Sequence, residues 1–208
     1  MDVLGWFQVG LLVLAFGGAT LWGRRESKRR AAAARAWAQG AGFGELAARA
    51  EGVPGDLAVR RRVSEPSFVG VLGGHPVSVI NTRTTPRFGM LWVFCAHAAL
   101  EPVFIASVVG FATMRLFGRA QPAGWNPVEG RHGLEPHFLV SLPPHGDLAR
   151  AVTPSLREAL LGPEGHAWCL SAGRTGFVAL WYLQPHGADT GQVLVDGARL
   201  FEKVLAVR

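Results

Sequence analysis

A charge-free run near the start of the chain constrains this sequence more than any other feature. Residues 3–22 contain no charged side chain and only two polar ones. As an α-helix, such a run rises about 30 Å, which matches the hydrocarbon core of a bilayer. Trp6 and Trp22 lie near its two ends, where aromatic side chains favour the membrane interface. The run therefore predicts a transmembrane anchor over residues 1–23.

A cleaved signal peptide is the alternative interpretation of the same run. Such a peptide has a positively charged start, a shorter apolar core and a cleavage site of the Ala-x-Ala type. This chain begins with Met1-Asp2, its apolar run is long, and the segment from Gly17 to Gly23 is a poor cleavage site. These features favour an anchor that is retained.

A basic segment follows the apolar run directly. Within residues 24–35, Glu26 is the one acidic side chain among six basic ones, which are Arg24, Arg25, Lys28, Arg29, Arg30 and Arg35. Basic flanks stay on the cytoplasmic side of a membrane. Nineteen of the 21 basic residues of the chain are arginine, which is typical of high-GC bacteria. We therefore expect a single-pass protein of a bacterial inner membrane, with its amino terminus outside and its domain in the cytoplasm. Residues 3–22 and the basic segment are the expected contacts with membrane lipid.

The net charge of +6 reflects this segment and not the chain as a whole. Residues 24–35 contribute +5, so the rest of the chain is almost neutral. The only other compact basic cluster in the sequence is Arg60-Arg61-Arg62, and no aromatic residues alternate with it. Because nucleic-acid-binding domains carry a basic face, often with stacking aromatics, the sequence predicts no nucleic-acid partner.

Beyond the apolar run, the pattern divides the chain into two further parts. Residues 24–52 are predicted to be a basic juxtamembrane helical segment, with a short helical piece over 45–50. Residues 53–208 are predicted to be a cytosolic α+β domain. The expected fold class is therefore α+β, with an N-terminal transmembrane helix followed by an antiparallel sheet and a few packed helices.

Local signals place several elements of this domain. Residues 68–80 predict a hairpin that turns at Gly73-Gly74, and residues 168–183 predict a second pair of strands. Thr153-Pro154 marks the start of one helix. Asp189 marks the start of another and forms, with a glutamine three residues later, the pattern of a capping box.

One stretch of the domain allows two interpretations, and another is predicted to lack regular structure. Residues 88–117 are apolar on both faces, which fits buried strands or a second membrane span. His97, Glu101 and Pro102 would lie near the middle of such a span, so strands are favoured. Residues 115–136 are rich in glycine and proline and are predicted to be a loop. That loop and the basic segment are the expected contact surfaces for a protein partner.

The sequence contains no catalytic or metal-binding signature. No two of the seven histidines have His-x-x-x-His spacing, and two cysteines are too few for a thiolate zinc site. We therefore expect neither a metal nor a cofactor. Cys95 and Cys169 lie in apolar, strand-like contexts and are expected to be buried free thiols.

Two function classes remain open. The leading expectation is a membrane-tethered, non-enzymatic binding or scaffold module with a protein partner of unknown identity. The alternative is an enzyme that acts on a membrane-derived or small substrate. Its weak catalytic candidates are His97, His137, His145, Asp147 and Cys169, which would have to converge in one cleft.

Several short segments carry a family resemblance. They are Arg35-Ala36-Trp37-Ala38 with Gly42-Phe43, Val69-Gly70-Val71 with Gly74-His75-Pro76-Val77, and Phe138-Leu139-Val140 followed by Asp147-Leu148-Ala149-Arg150 and Leu156-Arg157-Glu158-Ala159-Leu160-Leu161. With the apolar start and its basic flank, this order resembles uncharacterised single-pass membrane proteins of high-GC bacteria that carry a domain of unknown function. The resemblance implies a membrane-tethered domain, and it implies no catalytic residue.

Overall fold

In the part of the chain that the computed structural model describes, nine antiparallel strands form one sheet. The structure describes residues 3–46, 67–83, 89–96, 100–108, 124–130, 133–165, 168–173, 177–184 and 187–206. Within these residues the strands are β1 (Gly44–Leu46), β2 (Ser67–Leu72), β3 (His75–Arg83), β4 (Gly89–Ala96), β5 (Val103–Ser107), β6 (Asn126–Val128), β7 (Phe138–Leu142), β8 (Trp168–Gly173) and β9 (Phe177–Gln184). Their order across the sheet is β1-β2-β3-β4-β9-β8-β5-β7-β6.

The predicted strand pairs are confirmed. The β2–β3 hairpin turns at Gly73 and Gly74, whose φ angles of 55° and 81° lie in the region that favours glycine. Strands β8 and β9 pair from Trp168 opposite Tyr182 to Gly173 opposite Phe177. Within the ambiguous stretch 88–117, the described residues include β4 and β5, so the strand interpretation holds there.

Four helices accompany the sheet in the described residues. They are α1 (Val3–Gly40), α2 (Leu148–Ala151), α3 (Pro154–Leu161) and α4 (Thr190–Leu205). The Thr153 hydroxyl accepts a hydrogen bond from the Leu156 amide at 3.2 Å, which caps α3 as its sequence predicts. Asp189 caps α4 in the same way, accepting from the Gly191 amide at 2.9 Å. The Gln192 side chain points elsewhere and donates to Asp196 at 2.8 Å.

Helix α4 is the central element of the helical layer. It lies against the sheet, and both α1 and α3 pack on it. Gly197 lets α4 approach β8 closely, because a Cβ atom at this position would overlap the Trp168 indole. The side chains of α4 that are fully buried by this packing are Leu194, Leu200, Phe201 and Val204.

Both edges of the sheet are short strands. β1 has three residues and carries Glu45, whose carboxylate pairs with Arg35 of α1 at 3.0 Å. β6 has three residues and carries Pro127, which has no backbone N–H to donate to a further strand. Such short edges with a charge or a proline resist pairing with other chains. The prediction of a helix over residues 45–50 is wrong at Glu45, which lies in β1. Residues 47–50 lie outside the described residues.

The predicted transmembrane helix is not supported by the structure. In the described part of the chain, no helix combines the length and the apolar character that crossing a membrane requires. Helix α1 does not end at the basic segment but continues to Gly40, and from Gly23 onwards one of its sides is buried. The boundary expected at residue 23 therefore falls inside one continuous helix. The fold class is corrected to α+β, with an antiparallel sheet and packed helices.

Candidate functional site

Helix α1 turns one side towards the rest of the molecule. Its buried residues are Gly23, Glu26, Arg30, Ala34 and Ala38, which recur every three or four positions and so share one side of the helix. Ala34 and Ala38 are each only 1% exposed, and their small side chains allow a close approach. This buried side packs against α4.

A charged cluster joins the middle of α1 to the turn that precedes α4. The Glu26 carboxylate accepts hydrogen bonds from Arg29 at 2.9 Å, Arg30 at 3.2 Å and the Gly187 amide at 3.3 Å. Arg29 also donates to the Ala188 carbonyl at 3.1 Å. We call these five residues the Glu26 cluster. Because its two backbone partners immediately precede α4, the cluster sets how α1 sits on the domain.

The Glu26 cluster pairs one carboxylate with two guanidinium groups. The hydrogen bond from Arg29 is the main cause that lowers the pKa of Glu26 from 4.5 to about 2, against the opposing effect of burial. Glu26 is therefore ionised throughout the neutral range. Its negative charge compensates Arg30, whose side chain is 6% exposed and would be costly to bury alone.

The opposite side of α1 is open to solvent and carries apolar and cationic residues together. Leu21 is 69% exposed and Trp22 is 56% exposed. Arg24, Arg25 and Lys28 are also exposed. We call these five residues the free face of α1 because their side chains are exposed to solvent, although Trp22 also has contacts within the chain.

The charge on the free face has one sign. Since a helical residue advances about 100° around the axis, Leu21, Arg25 and Lys28 lie opposite the buried side, while Trp22 and Arg24 lie at its two borders. Glu26 is the one acidic residue of this stretch and belongs to the buried side. The free face therefore carries three positive charges beside two large apolar side chains.

The carboxyl end of α1 is attached separately. The Arg35 guanidinium pairs with Glu45 of β1 at 3.0 Å. The rings of Trp37 and Phe43 lie with their centroids 5.0 Å apart, and Phe43 packs over Gly70 of β2. These contacts extend the fixed part of α1 from Gly23 to the last turn of the helix.

The structure divides the six basic residues predicted to bind lipid into two groups. Arg29, Arg30 and Arg35 form ion pairs within the chain. The other three, Arg24, Arg25 and Lys28, belong to the free face. The basic segment thus combines a structural part with a part that is presented to solvent.

The candidate nucleophile Cys169 is enclosed in the sheet. Burial raises the pKa of its thiol to about 12, although two hydrogen-bonding contacts with Ser107 oppose this shift. The Ser107 amide donates to the sulfur at 3.3 Å. Burial also raises the pKa of Cys95 to about 11. Both cysteines are buried free thiols, as the sequence predicts, and both stay protonated at neutral pH.

The remaining catalytic candidates lie at the surface or outside the described residues. Asp147 uses its carboxylate to cap α2, accepting from the Ala149 amide at 2.9 Å. His145, two residues earlier, is exposed with a φ of 65°, and His137 is exposed just before β7. His97 lies outside the described residues. Among the described residues, no three potential ligands lie close enough together to hold a metal ion.

The predicted loop 115–136 is described only in part. Residues 124–130 contain β6, which pairs with β7. Residues 133–136 include Leu134, whose side chain is fully buried. In these parts the loop belongs to the sheet edge and the core, while residues 115–123 and 131–132 lie outside the described residues.

The role of Glu26 in joining α1 to the turn before α4 was not predicted from the sequence. There, Glu26 was considered only as one negative charge within the basic segment. Its spacing to Arg29 and Arg30, three and four positions, is the spacing of ion pairs on one helix face and is the available signal. The contact with Gly187 has no such signal, because that residue lies 161 positions away in the chain.

No family model and no curated protein matches the chain. Among solved structures, it is similar to the crystal structure of the mycobacterial trehalose monomycolate transport factor A, TtfA. That similarity has a TM-score of 0.45 and 13% sequence identity, and it covers 88% of this chain and 96% of that chain.

Proposed function

We propose that this protein is a non-enzymatic binding or scaffold module that docks onto an anionic cellular component through the free face of α1. The α+β domain supplies a stable base for that helix. The component bound by the free face is thereby held in a defined position relative to the domain.

One observation carries this proposal: α1 is attached along one side and open along the other. The attached side includes the Glu26 cluster, Ala34 and Ala38. The open side presents Arg24, Arg25 and Lys28 without an acidic neighbour on the same side. An exposed patch of one sign attracts partners of the opposite sign and speeds their association.

The chemistry of the described residues supports a binding role over the enzyme alternative. A catalytic cysteine needs a lowered pKa and access to substrate, whereas Cys169 has a raised pKa and is buried. The carboxylate of Asp147 is occupied by a helix cap. No observation on the described residues favours a second function.

Photo-crosslinking in cells of the native host tests the proposal. A benzophenone amino acid is placed at Trp22 on the free face and, as the matched control, at exposed Val71 on β2. We expect an adduct of defined mass at position 22 that is absent at position 71. The combined substitution Arg24→Glu, Arg25→Glu and Lys28→Glu should abolish the adduct. Equal labelling at both positions would overturn the proposal.

A further inference from the structure

The free face of α1 carries apolar side chains as well as positive charge. These apolar side chains indicate which kind of anionic partner the face binds. Leu21 and Trp22 are large apolar side chains that remain in solvent among the residues of α1 whose side chains the structure describes. They lie on the turn that immediately precedes Arg24 and Arg25. A lipid bilayer matches both kinds of side chain at once, because it has a continuous apolar layer directly beneath its charged headgroups.

From this combination we infer that the free face of α1 binds the surface of a bilayer that contains anionic lipids. The inference rests on the proposed function and names the partner of the same face. Arg24, Arg25 and Lys28 contact the headgroups, while Trp22 and Leu21 enter the boundary between headgroups and acyl chains. Tryptophan prefers this boundary because its ring is apolar and its indole N–H is polar.

The sequence before the free face is compatible with the same surface. Residues 3–20 are helical and contain no charged residue, so the helix that reaches Leu21 brings no charge that would oppose contact with lipid. Charge first appears at Arg24 among the described residues.

The orientation of the bound domain follows from the Glu26 cluster. Glu26 and Arg30 belong to the buried side of α1, and Glu26 also accepts a hydrogen bond from the Gly187 amide of the domain. A bilayer that contacts the free face therefore holds the domain in one orientation about the axis of α1. Arg29, Arg30 and Arg35 form ion pairs within the chain, so the other three cations of the basic segment determine the electrostatic part of the binding.

Vesicle flotation with the full-length protein tests this inference. Wild-type protein is mixed with phosphatidylcholine vesicles that either contain or lack phosphatidylglycerol. Since each cation near an anionic surface contributes about fivefold to binding, Arg24→Gln, Arg25→Gln and Lys28→Gln together should weaken partitioning to the anionic vesicles about 100-fold. Added salt should weaken wild-type binding as well. Trp22→Ala with Leu21→Ala should weaken binding about tenfold.

Matched control variants show whether binding depends on where the substituted residues lie or only on how much charge and apolar surface is removed. Arg150→Gln, Arg199→Gln and Lys203→Gln remove the same net charge from exposed sites away from the free face. Val71→Ala with Leu161→Ala trims exposed apolar side chains elsewhere. Both controls should bind anionic vesicles as the wild type does. A charge control that weakens binding as much as the free-face variant would overturn the inference.

Further outcomes distinguish this inference from the proposed function on which it rests. Polyglutamate and duplex DNA serve as lipid-free anionic probes. If the wild type shows no preference for phosphatidylglycerol but binds polyglutamate or DNA through Arg24, Arg25 and Lys28, the lipid inference fails and the docking function stands. If neither vesicles nor these probes respond to the free-face substitutions, and position 22 gives no specific crosslink, both fail.

Discussion

At the scale of single residues, the Glu26 side chain links α1 to the turn that precedes α4. It joins two arginines of its own helix to a backbone amide far along the chain. Because its side chain is 11% exposed, its charge is only partly screened by water. Its ionisation is therefore linked to the stability of the fold.

The pH dependence of unfolding should reveal this linkage. The folded-state pKa of Glu26 is about 2, below its ordinary value of 4.5, so its contribution is complete above pH 4.5 and is lost as the pH falls towards 2. The loss amounts to at most about 3 kcal/mol of unfolding free energy. Urea unfolding across this pH range should show a steeper loss in the wild type than in Glu26→Gln.

The exposed residue Glu202 on α4 supplies the control for this experiment. Glu202→Gln removes a carboxylate that the structure places in solvent, so its pH profile should run parallel to that of the wild type. Parallel profiles for Glu26→Gln and the wild type would contradict the role assigned to Glu26. At neutral pH, Glu26→Gln should also be less stable, since Arg30 then loses its countercharge.

At the scale of elements, the contact between α4 and β8 organises the helical layer. Glycine is a poor helix former, and an exposed helix position would gain about 1 kcal/mol from alanine. Gly197 nevertheless occupies the middle of α4, because the Trp168 indole fills the space where a Cβ atom would stand. Close packing between these two elements outweighs the local preference of the residue.

Alanine substitutions at two glycines of α4 should separate these effects. Gly197→Ala should destabilise the protein by about 1–3 kcal/mol, because the rigid indole must shift. Gly191→Ala serves as the control, since a Cβ there meets only the Asp189 carboxylate, at 3.4 Å. The control should be neutral or slightly stabilising. Denaturant unfolding measures both, and equal stability of the two variants would contradict the packing argument.

At the scale of the whole molecule, the contacts that attach α1 to the domain determine which side of this helix is exposed to solvent. The sheet, α3 and α4 share one core, to which α1 contributes the small residues Ala34 and Ala38, with Trp37 packed against it. Further contacts of α1 are the Glu26 cluster and the Arg35–Glu45 ion pair. We therefore expect the contacts of α1 to open more easily than the core, and the sheet to remain intact when they are lost.

A charge placed in that interface should release the helix. Ala34→Glu buries a carboxylate against α4, while Ala36→Glu places the same group in solvent two positions away. Hydrogen exchange followed by mass spectrometry should show faster exchange over residues 24–40 only in Ala34→Glu. Strands β8 and β9 should keep their protection in both variants. Loss of protection in β8 and β9 would mean that α1 belongs to the cooperative core.

Much of the domain follows from local sequence signals. The hairpin at Gly73-Gly74, the caps at Thr153 and Asp189 and the burial of Cys95 and Cys169 were all predicted, and the structure agrees with each. These features depend on backbone preferences and hydrophobic patterns over a few residues, which a single sequence displays. The strand at Glu45 was missed because its pairing partner, Phe68, comes from a distant part of the chain.

The transmembrane prediction was wrong for a related reason. Hydropathy measures how apolar a run is, but it does not show where the helix ends or what covers its sides. The basic segment looked like the flank of an anchor, while in the structure half of its charges form ion pairs within the chain. Only the packing of α1 on α4 shows which positive charges form ion pairs within the chain and which lie on the free face.

The sequence by itself determined an α+β domain, its hairpins and caps, its buried thiols and a helix rich in positive charge, because each of these follows from the order of neighbouring residues. The tertiary structure alone decided the strand order, the approach of Gly197 to Trp168 and the division of α1 into an attached and a free side. Those features require contacts between residues far apart in the chain. Such contacts form only when the core has assembled, so no local pattern specifies them.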